Sequence, residues 1–243
     1  GVVLVLAVAF VFSVGLVELK SDGTPLLDAN GEPIPTYDQE DIKQFARVFT
    51  GWTYANPDGS AITKKNAVYY GADMGVFPGT ATTGHDTDAK TLLNGTTLSA
   101  GQTAQKDLAD AVHNVFVHPN TGPFVAKLLI QRLVTGNPSD AYVGRIAAKF
   151  ANNGSGVRGD LKAVVRAILL DPEALNPSLV EHGRLKDPVL HVIGFGRALG
   201  ATIGDPNSFQ YVFSNLSQRV LTPATVFSFY QPTAMIPGQT TYF

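Results

Sequence analysis

Cysteine is absent from this 243-residue chain. That removes disulfides, thiolate nucleophiles, cysteine zinc sites and iron–sulfur clusters from consideration. Charge is scarce as well: Asp, Glu, Lys and Arg make up 16% of the residues, against roughly 25% in an average soluble chain. The balance of 18 basic and 20 acidic residues gives a formal charge of -2, and no cluster of Lys and Arg offsets it locally. Nucleic-acid binding therefore lacks its electrostatic footprint. No G-x-S-x-G elbow is present, and Gly154-Ser155-Gly156 lacks both the G-K-[ST] ending and the preceding strand of a phosphate loop. Serine-hydrolase and phosphate-loop chemistry are unsupported. The uncharged opening GVVLVLAVAFVFSVGLV, residues 1–17, falls short of the ~20 apolar residues of a membrane span. It also lacks the basic region and small-residue cleavage site of a signal peptide. It reads as a buried core helix, with membrane contact through residues 1–17 the less favoured reading.

What the chain does have is helical periodicity with start and stop signals. Asn120, Thr121 and Pro123 mark one start; Asn137, Pro138, Ser139 and Asp140 mark the next. Gly136 and Asn152-Asn153-Gly154 mark stops. Helices are expected over 38–50, 104–117, 122–135, 139–151, 159–170, 187–199 and 206–219. In the second of these the pattern would bury Leu108, Ala111, Val112, Val115 and Phe116, leaving Asp107, Asp110, His113 and Asn114 outward. In the third, Val125, Leu128, Leu129 and Leu133 form the apolar face, and Arg132 falls within that arc.

Between Glu18 and Tyr37, Asp22-Gly23 and Asn30-Gly31 separate short apolar pieces, which predicts a β-hairpin over 17–37. Residues 53–102 are rich in Gly, Thr and Asn without sustained periodicity, a long irregular loop of the kind that is often functional. Its aromatics, with Trp52, are expected to dock on the helical body and place His85 and Lys90 at the edge of a groove. The expected fold is mainly α: a multi-helix orthogonal bundle, with a small hairpin near the N-terminus and this long loop. The organisation reads as one helical domain over 1–243: hairpin 17–37, long loop 53–102, helical core 104–219 and an irregular aromatic tail over 220–243.

Several segments in order carry a family resemblance: FSVGL at 12–16, YDQEDIKQFARVFTGWTY at 37–54, GHDTDAKTLLNG at 84–95, HPNTGPFVAKLLIQRLVTGNPS at 118–139, RGDLKAVVRAILLDPEA at 158–174 and PATVFSFYQP at 223–232. Together they resemble the bacterial domain-of-unknown-function 1800 (DUF1800) family and cover nearly the whole chain. The resemblance implies a mostly helical protein, exported to the periplasm, cell surface or medium, and a fragment of a longer chain. It also implies a neighbouring sulfatase-like protein as partner. It carries over no catalytic residues, because none are established for the family. One departure stands out: the family's helix before FSVGL bears polar and charged residues, whereas residues 1–11 here are all small or apolar.

Three features could carry chemistry. His85 and Asp88, with His118, are residue types that would hold zinc or another borderline divalent metal, although their spacing matches no named motif. The plainer reading makes His85-Asp86 a loop turn and packs His118 under Pro119, and no cofactor is then expected. Arg132 on an apolar helix face should be buried and ion-paired, with Glu40, Asp107 or Asp160 as partner, since a buried charge is rarely left uncompensated. The alternative is an anion site assisted by a helix N-terminus. Third, Trp52, His85 and Lys90 are groove residues. Two functions follow: an exported helical binding or assembly protein in a surface or periplasmic complex, or a metal-assisted hydrolase using His85, Asp88 and His118.

Overall fold

The computed structural model describes residues 10, 13–79, 84–176, 183, 186–202 and 204–205. Most of the apolar opening, the helix expected over 206–219 and the tail 220–243 lie outside these residues. The fold is mainly helical, and the chain divides into two compact units, residues 1–125 and 126–243, where the sequence reads as one domain. No helix among the described residues is long and apolar enough to cross a membrane.

In the first unit, residues 17–36 form the expected turn-rich β segment. Its bridges are isolated pairs, Val17 with Pro35, Leu19 with Pro25 and Leu27 with Pro33, because the prolines cannot donate to a longer ladder. Helix α1, Gln39–Val48, starts in a capping box. The Asp38 carboxylate accepts from the Glu40 and Asp41 N–H groups, and Asp41 accepts in turn from the Asp38 N–H. Its buried residues Phe45 and Val48 join Phe10, Val14, Leu92, Leu93, Leu98 and Ala111 in one core. Each large apolar side chain buried there contributes about 1.5–3 kcal/mol.

The long loop is less irregular than expected. Strand β1, Trp52–Thr53, pairs antiparallel with β2, Gly75–Val76, and β3, Lys90–Thr91, pairs antiparallel with β4, Thr97–Leu98. The second ladder is closed by Asn94 and Gly95, both at positive φ (57° and 68°), the backbone twist that an Asn-Gly hairpin turn supplies. Strand structure is thus not confined to 17–37. The loop's aromatics are only partly docked: Tyr70 remains 85% exposed, its ring edge-on to Tyr54.

Helix α2, Ala104–Val117, is capped by the Thr103 hydroxyl and turns an unexpected face inward. Ala104, Asp107, Ala111 and Asn114 are buried, while Val112 and Phe116 are 59% and 38% exposed. The polar stripe is inside because partners wait for it there, as set out below. Helix α3, Thr121–Leu133, follows after a short turn. Asn120 sits at the start of α3, but its side chain does not cap it. Instead its Oδ1 accepts from the Leu19 N–H at 2.8 Å. Its Nδ2 donates to the Val14 and Val17 carbonyls and to Thr36 Oγ1 at 2.8–3.1 Å.

The residues of α3 that are buried are Thr121, Gly122, Pro123, Ala126 and Ile130 rather than the leucine face. Arg132 lies about 200° around the helix from Ile130 and is exposed, which corrects the expectation that it is buried.

In the second unit, α4, Asp140–Ala151, is capped by Ser139 and buries Tyr142, Val143, Ile146, Ala147 and Phe150. It packs on α5, Leu161–Leu170, which is capped by Asp160 and buries Val164 and Ile168. The Tyr142 hydroxyl donates to the Ile168 carbonyl at 2.6 Å. Burial, helped by Asp171 and Glu173, pushes its pKa up to about 12. Asp171 then caps the short helix α6, Pro172–Leu175, and accepts two hydrogen bonds from Arg145 at 2.8 and 2.7 Å. A further helix, α7, Pro188–Ala198, begins at the expected proline, although Asp187 makes no side-chain cap.

Candidate functional site

The densest set of ionisable groups lies in the first unit, where segment 84–98 meets α1 and α2. The exit of α1 comes first. Gly51 adopts φ 80°, and a Cβ there would stand 2.7 Å from the His85 nitrogen. Only glycine allows both the turn and the contact. Just before it, the Thr50 hydroxyl donates to the Arg47 carbonyl at 2.6 Å and accepts from the Asp86 N–H at 2.8 Å. Segment 84–90 is thereby laid against the end of α1.

Arg47 grips Asp86 with two hydrogen bonds of 2.8 and 3.1 Å and reaches the Ala89 carbonyl at 3.1 Å. These bonds from Arg47 hold the Asp86 carboxyl below the ordinary carboxylate range, outweighing its partial burial. One turn further, Lys90 goes inward. Its side chain is 1% exposed; its Nζ donates to the Asp86 carbonyl at 2.6 Å and to the Asp88 carbonyl at 3.0 Å and forms an ion pair with Asp107 Oδ2 at 2.7 Å.

Asp107 is fully buried, and its Oδ2 also meets His85 Nε2 at 3.0 Å. His85 Nδ1 lies 3.1 Å from the Thr50 carbonyl, an oxygen that only accepts, so Nδ1 carries a proton. Asp107 Oδ1 is buried without a hydrogen-bond partner. The result is a chain of contacts running through Arg47, Asp86, Lys90, Asp107 and His85. It fastens segment 84–98 to two helices.

The structure therefore moves two of the expected groove residues. His85 and Lys90 lie inside, not at a groove edge, and Trp52 is half-buried with its indole nitrogen unbonded. The three metal-ligand candidates are not brought together. His85 has both nitrogens engaged. The Asp88 side chain is exposed. His118 is buried elsewhere, its Nδ1 accepting the Asn120 N–H at 3.1 Å, and burial lowers its pKa. Among the described residues no group of three or more His, Asp or Glu side chains is placed to hold a metal ion.

The carboxylates suggested for Arg132 serve other groups. Glu40 binds Lys43 and Gln44, Asp107 binds Lys90 and His85, and Asp160 binds Asn153 and caps α5.

Sequence reasoning missed Asp107, Asn114 and Asn120 as tethering residues. Asn114 donates to the Leu93 carbonyl and Thr96 Oγ1, each at 3.0 Å. A signal was present for the hairpin they hold: Leu92-Leu93-Asn94-Gly95-Thr96-Thr97-Leu98 places Asn-Gly between apolar pairs.

Among the described residues of the first unit, one concave feature is an apolar hollow lined by Phe10, Phe45, Phe49, Ala111, Val112 and Val115, with Ser13 at its side. Its chemistry is contact, not proton transfer.

A family model described as "Protein of unknown function (DUF1800)" matches residues 11–241, nearly the whole chain. No curated protein and no solved structure matches. The chain belongs to the DUF1800 family.

Proposed function

We propose that this DUF1800 member is an exported helical binding or assembly protein, one component of a cell-surface or periplasmic complex, with a sulfatase-like protein as partner. The observation that carries this reading is the orientation of α2. An amphipathic helix normally hides its apolar face. This one hides Asp107 and Asn114 and leaves Val112 and Phe116 exposed beside the apolar hollow. Exposed apolar residues next to an apolar concavity are what a protein-binding face provides. The charged cluster supports the same side of the question, since its groups are consumed in holding segment 84–98. Export and the choice of partner rest on the family resemblance.

Calorimetric titration of the purified chain with a sulfatase-like protein of the kind the family resemblance implies tests the proposal. Saturable association, weakened by Val112→Glu and left intact by Arg132→Ala, is the expected result. Absence of association would sink it. A divalent metal retained stoichiometrically through purification would instead favour a metal-assisted hydrolase using His85, Asp88 and His118.

A further inference from the structure

The chain contains three Asn-Gly pairs among its described residues, at 30–31, 94–95 and 153–154. The local sequence is the same at each; the surroundings are not. Such a pair can close on itself. The glycine nitrogen attacks the asparagine Cγ, a new N–C bond forms, the Cγ–Nδ2 bond breaks and ammonia leaves. Solvent water then opens the resulting succinimide at either carbonyl, giving aspartate or isoaspartate. The reaction needs a side-chain amide free to rotate onto the glycine nitrogen, and space for the ring.

Asn153 has no such freedom. Its Oδ1 accepts from the Ser155 and Val157 N–H groups, its Nδ2 donates to Asp160 at 2.8 Å, and the Gly154 N–H is bound to Asn152 Oδ1 at 2.8 Å. Asn30 is restrained more loosely. Its Nδ2 reaches Asp28 at 3.4 Å, and the Gly31 N–H donates to the Asp28 carbonyl at 3.1 Å. The Asp28 carboxylate, which also accepts the Asn30 N–H, opposes the negative charge that the attacking nitrogen must develop.

Asn94 differs from both in its side chain, which has no hydrogen-bond partner among the described residues. It is exposed, as Asn30 is, and a Cβ added at Gly95, as at Gly31, would meet nothing within 4 Å.

We propose that Asn94 is a spontaneous modification site of this chain, converting through a succinimide to isoaspartate and aspartate ahead of Asn30 and Asn153. The position gives the reaction a consequence. Isoaspartate adds a methylene to the tight turn, residues 93–95, that closes β3 on β4, with the Leu92 N–H on the Thr96 carbonyl at 2.7 Å. Leu92 and Leu93 are each 1% exposed, and the Leu93 carbonyl is the anchor for Asn114. A new negative charge and a lengthened backbone therefore arise at the tip of the hairpin that carries Lys90.

The test is ageing of the intact folded chain in mildly alkaline buffer, followed by peptide mapping that separates aspartate from isoaspartate at each site. The same incubation in concentrated urea is the reference. Native-state conversion at Asn94 is expected to exceed that at Asn153 by about tenfold or more, with Asn30 between them. In urea the three rates should converge. Equal native rates, or Asn153 or Asn30 reacting faster than Asn94, would overturn the proposal.

Discussion

Asp107 and Asp171 each hold a basic side chain at the same distance, 2.7 Å, in different units of the chain. Their surroundings separate them. Lys90 and Asp107 are 1% and 0% exposed, whereas Arg145 is 47% exposed over an Asp171 that is 5% exposed. Distance alone would rank the two pairs as equals. Desolvation does not, because a charge left behind in the interior loses both its partner and its water. Asp171 would keep its hydrogen bond from the Glu173 N–H. Asp107, with Oδ1 already unbonded, would keep His85 alone.

The sharpest way to break this comparison is Lys90→Met. It should lower stability by about 3–5 kcal/mol, while Lys90→Met combined with Asp107→Leu should recover much of the loss. Urea midpoints and slopes read both. A single-variant midpoint no lower than that of Arg145→Ala would show the two pairs to be equivalent after all.

Acid titration separates the groups by a smaller effect. The pKa of His118 is lowered by burial from 6.5, so its contribution to stability is complete above that value. It is lost as pH falls through 6.5 toward the lower folded value. Asp86 is held below 3.8 by the hydrogen bonds from Arg47. For Asp171, burial pushes upward, but the bonds from Arg145 and the Glu173 N–H outweigh it and also leave it below 3.8. These two contributions persist above 3.8 and disappear only at lower pH. Stability should therefore fall in two steps on acidification, and His118→Gln should remove the upper step alone. A single step in both proteins would contradict the assignment.

Arg145→Ala comes next, with a loss of about 1 kcal/mol or less, as expected for a half-exposed pair. A shift matching that of Lys90→Met would mean that exposure is a poor guide here. Smallest of all is Arg132→Ala. On an exposed helix face it should stay within about 0.5 kcal/mol of the parent. A shift of several kcal/mol in its unfolding midpoint would restore the buried reading.

Helices were the legible part of this sequence. Capping residues such as Asp38, Ser139 and Asp160 act over one turn, so their signal is complete within a few letters, and the observed starts follow it. Facing was less legible. Periodicity assigned Val112 and Phe116 to the core of α2 because apolar residues usually go there. The actual inward stripe was chosen by Lys90 and Leu93, which lie 17 and 21 positions from their partners Asp107 and Asn114. Arg132 was misread for the same reason: the leucines of α3 outweighed Ala126 and Ile130 in the pattern, yet Ala126 and Ile130 are the buried ones. Of the site, His85 and Lys90 were expected at a groove edge, yet both side chains lie inside, and their partner Asp107 was counted among solvent-facing residues. A salt bridge across an irregular loop leaves no periodic trace.

Asn120 carries a consequence for how the chain is made. The backbone groups it ties down, at Val14, Val17 and Leu19, precede it by 106, 103 and 101 residues. Ribosomes extend a chain by about 5–20 residues per second, so these groups wait roughly 5–20 s for the side chain that satisfies them. During that interval the β segment 17–36 has its own turns but no anchor. Closure must then bridge a long loop, which is entropically costly and slow relative to local helix formation. A segment synthesised well before its anchor is thus among the last parts of the unit to be fixed, and a single amide sets the moment at which it happens.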